Sequence, residues 1–186
     1  MIVEGSERLT DEIIIRAARS GEQDVVLDLL AEAAAWLLRQ GIAQWPPRFP
    51  AESVRREIAT GETLLVLEGT RPIATLTVAD NDRDLWGART EPAYYISRLA
   101  VARSASGRGL GYRLIDWVQA KAATRGWPFV RLATSRDNPA LRRYYEEAGF
   151  RHVTDPPHAR WPTSLYERAL GHPHPTPREH RAPQDR

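Results

Sequence analysis

A chain of 186 residues, 42% hydrophobic and 27% charged, has the composition of one soluble globular domain with room for a sizeable core. It contains no cysteine, which excludes disulfides, thiol nucleophiles and thiolate metal sites, and no run near the roughly 18 apolar residues of a membrane helix. A formal net charge of +2 is too small to point to nucleic acid, although the isoelectric point is about 9.2. The start, MIVEGSERLTDE, is polar and acidic and reads as neither a signal nor a transit peptide. A flexible segment over residues 1–12 and a cytoplasmic protein are therefore expected.

The domain is expected to run over 13–170. Ile13-Ile14-Ile15 is short and β-branched, a strand pattern. From Asp24 to Gln40, apolar residues recur at Val26, Leu29, Leu30, Ala33, Trp36 and Leu37, which is helical spacing closed by Gly41. GIAQWPPRFP breaks the chain with its prolines, and a second helix is predicted over Ala51 to Thr60. Thr63 to Glu68 and Ile73 to Ala79 read as a hairpin around Gly69-Thr70-Arg71. Asp80 to Pro92 reads as a polar loop with Trp86 exposed. Ala93 to Val101 is a strand, Gly109 to Arg125 a helix stopped by Gly126, and Phe129 to Ala133 a strand. Pro139 opens a helix over Ala140 to Ala148, and Phe150 to Val153 and Ser164 to Arg168 read as the last strands. Gly171 to Arg186 is proline-rich with almost nothing apolar, so 171–186 is expected to be a disordered tail whose histidines bind no metal. A hairpin on one side and βαβ units on the other imply an α/β (α+β) domain, a mixed sheet with helices on both faces.

One short stretch asks for chemistry. Gly107, Gly109 and Gly111 fall two apart between a strand and a helix. Glycine is costly in backbone entropy, so such a cluster marks either a tight turn that serves packing or a close backbone approach to a ligand. At a helix start, unsatisfied N–H groups and the positive end of the helix dipole suit a phosphate. Arg103, Arg108 and Arg113 add charge around it. The nucleotide loop GxxxxGK[ST] lacks its lysine here. The dinucleotide fingerprint lacks both its GxGxxG spacing and its downstream acid, since 127–132 reads WPFVRL. A pyrophosphate cradle of the coenzyme A kind is left beside the packing turn.

The glycines do not stand alone. Leu99-Ala100-Val101 precede Ser106-Gly107-Arg108-Gly109-Leu110-Gly111, and downstream come Asn138, Leu141, Tyr145, Gly149 and Phe150. These two motifs, in this order, resemble the GNAT superfamily of N-acetyltransferases over about 13–170. Ser106 stands where the family usually has Gln or Arg, and Leu141 where it has Ala. The resemblance implies the family's acyl-CoA N-acyltransferase fold, with a mixed, mostly antiparallel central sheet, and acetyl-CoA as co-substrate without a metal. It implies that the backbone of Leu99, Ala100 and Val101 lies along the pantetheine arm. It implies that Gly107, Arg108, Gly109, Leu110, Gly111 and Tyr112 hold the pyrophosphate, that Asn138 bonds the arm, and that Tyr145 stands near the sulfur as general acid. Tyr144 is the better candidate for a purely packing role.

Acetyl transfer from a thioester to an amine needs a neutral amine, a donor for the developing oxyanion and an acid for the thiolate, but no enzyme nucleophile. Many relatives place a Glu six residues before the Val of LAV. Here that position is Tyr95, so Glu91, Asp82, Asp84 or water is left as the base. Trp45, Trp86, Tyr95 and Arg98, with Trp36 and Phe49, are candidates for the acceptor pocket. Trp117 and Trp127 read as core, and His152 and His158 as residues without a metal role. The expected acceptor is a primary amine of a small molecule. A protein or aminoacyl-tRNA amine, or a non-catalytic acyl-CoA sensor, are the alternatives. A homodimer is common for the resembling fold; neither a membrane nor nucleic acid is an expected partner.

Overall fold

The computed structural model describes residues 2–87 and 89–170. One eight-stranded sheet carries the fold, in the order β1-β2-β3-β4-β5-β6-β8-β7. Its strands are β1 (Ser6–Arg8), β2 (Ile13–Ala17), β3 (Thr63–Glu68), β4 (Arg71–Ala79), β5 (Ala93–Val101), β6 (Phe129–Ser135), β7 (Arg151–Thr154) and β8 (Thr163–Ala169). Every neighbouring pair is antiparallel except β5 and β6, which run parallel. Parallel strands need a crossover, and helix α4 (Leu110–Thr124) supplies it.

Helices cover both faces because the central strands are apolar on both. On one face, Leu114, Ile115, Val118 and Ala122 of α4 pack on Ile15, Leu64, Leu76, Ile96 and Val130. Helix α5 (Pro139–Glu147) joins this cluster through Tyr145. On the other, Val26, Leu27 and Leu30 of α1 (Gln23–Arg39) and Val54 and Ile58 of α2 (Ala51–Ala59) pack on Leu65, Leu67 and Ala100. Burying each such side chain contributes about 1.5–3 kcal/mol, so the two clusters dominate the stability. The mixed, mostly antiparallel sheet expected from the sequence is the one observed.

Two expectations give way. Residues 2–12 are not a flexible lead-in: Ile2 and Val3 are buried and Ser6–Arg8 pairs with β2. The Glu7 carboxylate accepts a bond from Trp117 Nε1 at 3.1 Å and pairs with Lys121, which anchors the segment to α4. A stretch whose apolar residues are Ile2, Val3 and Leu9 carries too little periodicity to announce this. Trp86 is not exposed either. Residues Arg83–Trp86 form a short helix, α3, capped by Asp82, and Trp86 is 5% exposed against Ala93, Tyr95 and Leu165. The segment 171–186 lies outside the described residues.

Candidate active site

The sheet splits between its two parallel strands. The pairing of β5 with β6 runs from Ala93–Phe129 to Ile96–Leu132 and stops. Beyond it, β5 continues to Val101 and β6 to Ser135. Ser97–Val101 and Ala133–Ser135 therefore flank an open gap with strand-edge backbone on either side, the geometry that accepts an extended chain. In the strand bordering this gap, the Thr134 hydroxyl is buried with no hydrogen-bond partner among the described residues.

A bulge shapes the β5 side of the gap. Thr77 faces Ser97 and Thr75 faces Ala100, so two steps along β4 match three along β5. The extra residue reverses the in–out phase of the strand. Tyr94 and Ile96 pack in the α4 cluster before it, Leu99 and Val101 after it. Arg98 sits in the bulge with φ 49°.

The glycine turn lies between β5 and α4. Gly107 and Gly109 have φ of 77° and 69°, and a Cβ on either would meet only open space. The turn thus needs glycine for its backbone shape, with a clear surface in front. Helix α4 starts at Gly109 with no side-chain cap and no acid in its first turn, which leaves its N–H groups for an anion. Gly111 has another reason to be glycine: a Cβ there would collide with the Tyr144 hydroxyl. The Ser106 hydroxyl donates to the Arg103 carbonyl at 2.9 Å. The Arg108 guanidinium turns to Glu68, 2.6 Å away, so this residue offers the turn its backbone rather than its charge.

Helix α5 supplies the far wall. Asn138 is buried and caps it, accepting from the Leu141 N–H at 3.1 Å. Its Nδ2 donates to Gln44 Oε1 at 2.9 Å, which ties the α1–α2 loop across to α5. Tyr145 is buried with its ring edge-on to Phe150 at 5.9 Å. Burial alone pushes its phenol up to about 12, and its hydroxyl has no hydrogen bond to any described residue. Tyr144 stacks on Tyr112 at 4.4 Å and touches Tyr145 edge-on at 5.5 Å, the packing role expected of it.

On the α1–α2 side, Trp45 meets Phe49 edge-on at 5.6 Å and Arg98 lies 4.8 Å over Phe49. The structure does not bring Trp86 and Tyr95 to these groups. They form a separate cluster at 5.8 Å from each other, around Arg131. Trp36 carries the Arg103 guanidinium, 4.4 Å from its ring. The expected bases are largely committed. Asp82 caps α3, its carboxyl pushed up by burial. Glu91 is 53% exposed and is held below the usual carboxylate range by its own backbone N–H and then by Arg131. Asp84 is exposed.

Two residues at this face escape sequence reasoning. Arg131 is fully buried, donating through Nε to Glu167 at 2.8 Å and through Nη1 to the Tyr95 hydroxyl at 2.9 Å. An arginine inside the apolar run FVRLA is the signal that could have found it. Glu57 of α2 pairs with Arg98 and accepts from the Thr77 hydroxyl at 3.3 Å. Burial pushes its carboxyl up, against the pull of Arg98. No local pattern marks it, since Arg98 is 41 positions away. Among the described residues, no group of three or more potential metal ligands occurs and no helix is long and apolar enough to cross a membrane.

A sheet opened between parallel strands, with a glycine turn and an uncapped helix start beside the opening, offers a place for an extended ligand that carries an anionic group. The chain matches the model of the acetyltransferase (GNAT) family over residues 30–150 and belongs to that family. It is an N-acetyltransferase, and acetyl-CoA is its co-substrate. It is 26% identical over 153 residues to the uncharacterized N-acetyltransferase YesJ of Bacillus subtilis (strain 168), covering 78% of this chain and 85% of that protein. A GNAT acetyltransferase from Listeria monocytogenes superposes with a TM-score of 0.74 at 23% identity, over 89% of this chain and 100% of that one. The N-acetylglutamate synthase of Neisseria gonorrhoeae, complexed with coenzyme A and N-acetyl-glutamate, has a TM-score of 0.61 at 18% identity, over 86% of this chain and 35% of that one.

Proposed function

We propose that the enzyme acetylates a primary amine of a small molecule by direct attack of the amine. The observation that carries this reading is the gap between β5 and β6 with the turn at Gly107–Gly111 beside it. The residues present fit coenzyme A. Backbone N–H groups from Gly107 to Tyr112 would hold the pyrophosphate, and the strand edge of Leu99, Ala100 and Val101 would line the pantetheine arm. Acetyl-CoA brings a thioester, an acyl donor that an amine can attack.

Tyr145 is assigned the proton that the leaving thiolate takes up. A phenol is protonated at neutral pH and can donate, and its hydroxyl is not spent on a described neighbour. Asn138 would bond the arm by exchanging its bond to Gln44. The ammonium proton is assigned to solvent, because Asp82 and Glu91 are held by α3 and by Arg131. Trp45, Phe49 and Arg98 would face the acceptor, aromatic surface beside a polar head, which suits a small amphipathic amine.

Titration calorimetry with acetyl-CoA on the wild type and on Gly109→Glu tests the cofactor assignment. Micromolar binding abolished by the substitution, with an unchanged circular dichroism spectrum, supports it. No wild-type binding at millimolar acetyl-CoA refutes it. A thiol-release screen over small amines, peptides and charged tRNA then tests the acceptor class, and activity confined to a macromolecule overturns the small-molecule reading.

A further inference from the structure

Arg98 is the one non-glycine residue with positive φ among the described residues. A β-strand residue has no intrinsic reason to adopt this left-handed conformation, so neighbours must hold it there. The structure identifies them. Glu57 pairs with Arg98 Nη1 and also accepts from the hydroxyl of Thr77, which faces Ser97 across the β4–β5 ladder. Arg98 Nη2 donates to Ser53 Oγ at 3.4 Å, and its guanidinium lies over the Phe49 ring. One carboxylate on α2 thus fastens both strands on either side of the bulge. The pair is mostly shielded from solvent, with side-chain exposures of 20% and 23%, so screening leaves much of the attraction intact.

We propose that Arg98 and Glu57 are a positioning pair for the acyl end of the site: they hold the β5 bulge, and the bulge sets the backbone that distinguishes acetyl-CoA from free coenzyme A. The inference rests on the reading that the β5 edge lines the acyl arm. Its logic is local. Without the bulge, β5 would keep its in–out phase, and Leu99 and Val101 would leave the α4 cluster in which they pack. The strand edge at the gap would then present different groups. The pyrophosphate turn, between β5 and α4, needs neither residue. Loss of the pair should therefore weaken recognition of the acetyl group and spare recognition of the nucleotide.

The test is calorimetric binding of acetyl-CoA and of coenzyme A, each alone, to wild type, Glu57→Gln, Arg98→Ala and Arg98→Gly. The expected wild type binds acetyl-CoA more tightly than coenzyme A. In Glu57→Gln the preference falls about tenfold, the equivalent of about 1.4 kcal/mol, while coenzyme A affinity holds. Arg98→Ala behaves alike. Arg98→Gly adopts the positive φ without a partner and retains more of the preference than Arg98→Ala. Equal wild-type affinities, or a preference that survives Glu57→Gln and Arg98→Ala within twofold, overturn the proposal while leaving the cofactor assignment standing. Absence of binding by either ligand to the wild type refutes that assignment instead, and removes the pair's role with it. Thermal melts of each variant identify any that fail to fold, and Glu57→Gln, which keeps the shape of the side chain, remains the deciding variant.

Discussion

Replacing Gly111 by alanine isolates a packing contact from a conformational one. Gly111 is helical, so alanine gains about 1 kcal/mol of helix propensity there. The new methyl would overlap the Tyr144 hydroxyl and sit 3.4 Å from its Cζ. Restoring ordinary contact distance requires the hydroxyl to move by about 1 Å. The ring has little room, stacked on Tyr112 at 4.4 Å and edge-on to Tyr145 at 5.5 Å. Overpacking of this kind costs about 1–3 kcal/mol. The net expectation is a destabilisation of about 1 kcal/mol, a fall in Tm of about 2–4 °C for a domain of this size. Removing the hydroxyl relieves the clash. In the Tyr144→Phe background, Gly111→Ala should stabilise by about 1 kcal/mol, the propensity gain alone. Urea denaturation of the four proteins in a double-mutant cycle measures the coupling. A coupling energy near zero, with alanine equally costly in both backgrounds, would refute the reasoning.

Tyr145→Phe should leave stability within about 0.5 kcal/mol, since the hydroxyl has no described partner, yet lower turnover about 100-fold, read by thiol release with an accepted amine. Removing Glu167 leaves the fully buried Arg131 without its 2.8 Å partner, so Glu167→Ala should cost about 3–5 kcal/mol in urea denaturation. Glu22 holds Arg16 through bonds of 2.7 and 2.8 Å, and this pairing lowers its carboxyl pKa. A carboxyl lowered in the folded state stabilises above its unfolded value near about 4.3 and loses that contribution as pH falls through the folded value. Glu22→Gln should accordingly cost about 1.5–3 kcal/mol at pH 7, and its melting temperature should converge on the wild type below about pH 4.

The helices and most strands were legible because their signals are local. The apolar spacing of Val26, Leu29, Leu30 and Leu37 needs only one turn of helix to interpret, and α1 forms at Gln23–Arg39 as that spacing implies. The turn at Gly107 and Gly109 was legible as a special backbone, and both residues do have positive φ. The third glycine was not separable from them by sequence, because its reason lies in Tyr144, on another helix. The bulge at Arg98 was invisible for a related cause. A strand pattern of AYYISRLAV alternates plausibly on either side of the extra residue, and only the register against β4 exposes it. Glu57 and Arg131 act through partners 41 and 36 positions away, so their significance is a property of the sheet and not of any window. Trp86 was misjudged because polar neighbours say nothing of the pocket formed by Ala93, Tyr95 and Leu165.

The anchoring of Glu7 also has a consequence in time. Its partners on α4, Trp117 and Lys121, lie 110 and 114 positions further along the chain. At about 5–20 residues per second of synthesis, roughly 5–20 s pass between the making of the acid and of the indole that binds it. Throughout that interval Ile2 and Val3, buried in the finished protein, have no α4 to cover them. The edge of the sheet next to β2 therefore stays uncovered until α4 is made, and over that interval this segment of the nascent chain is open to chaperones and proteases.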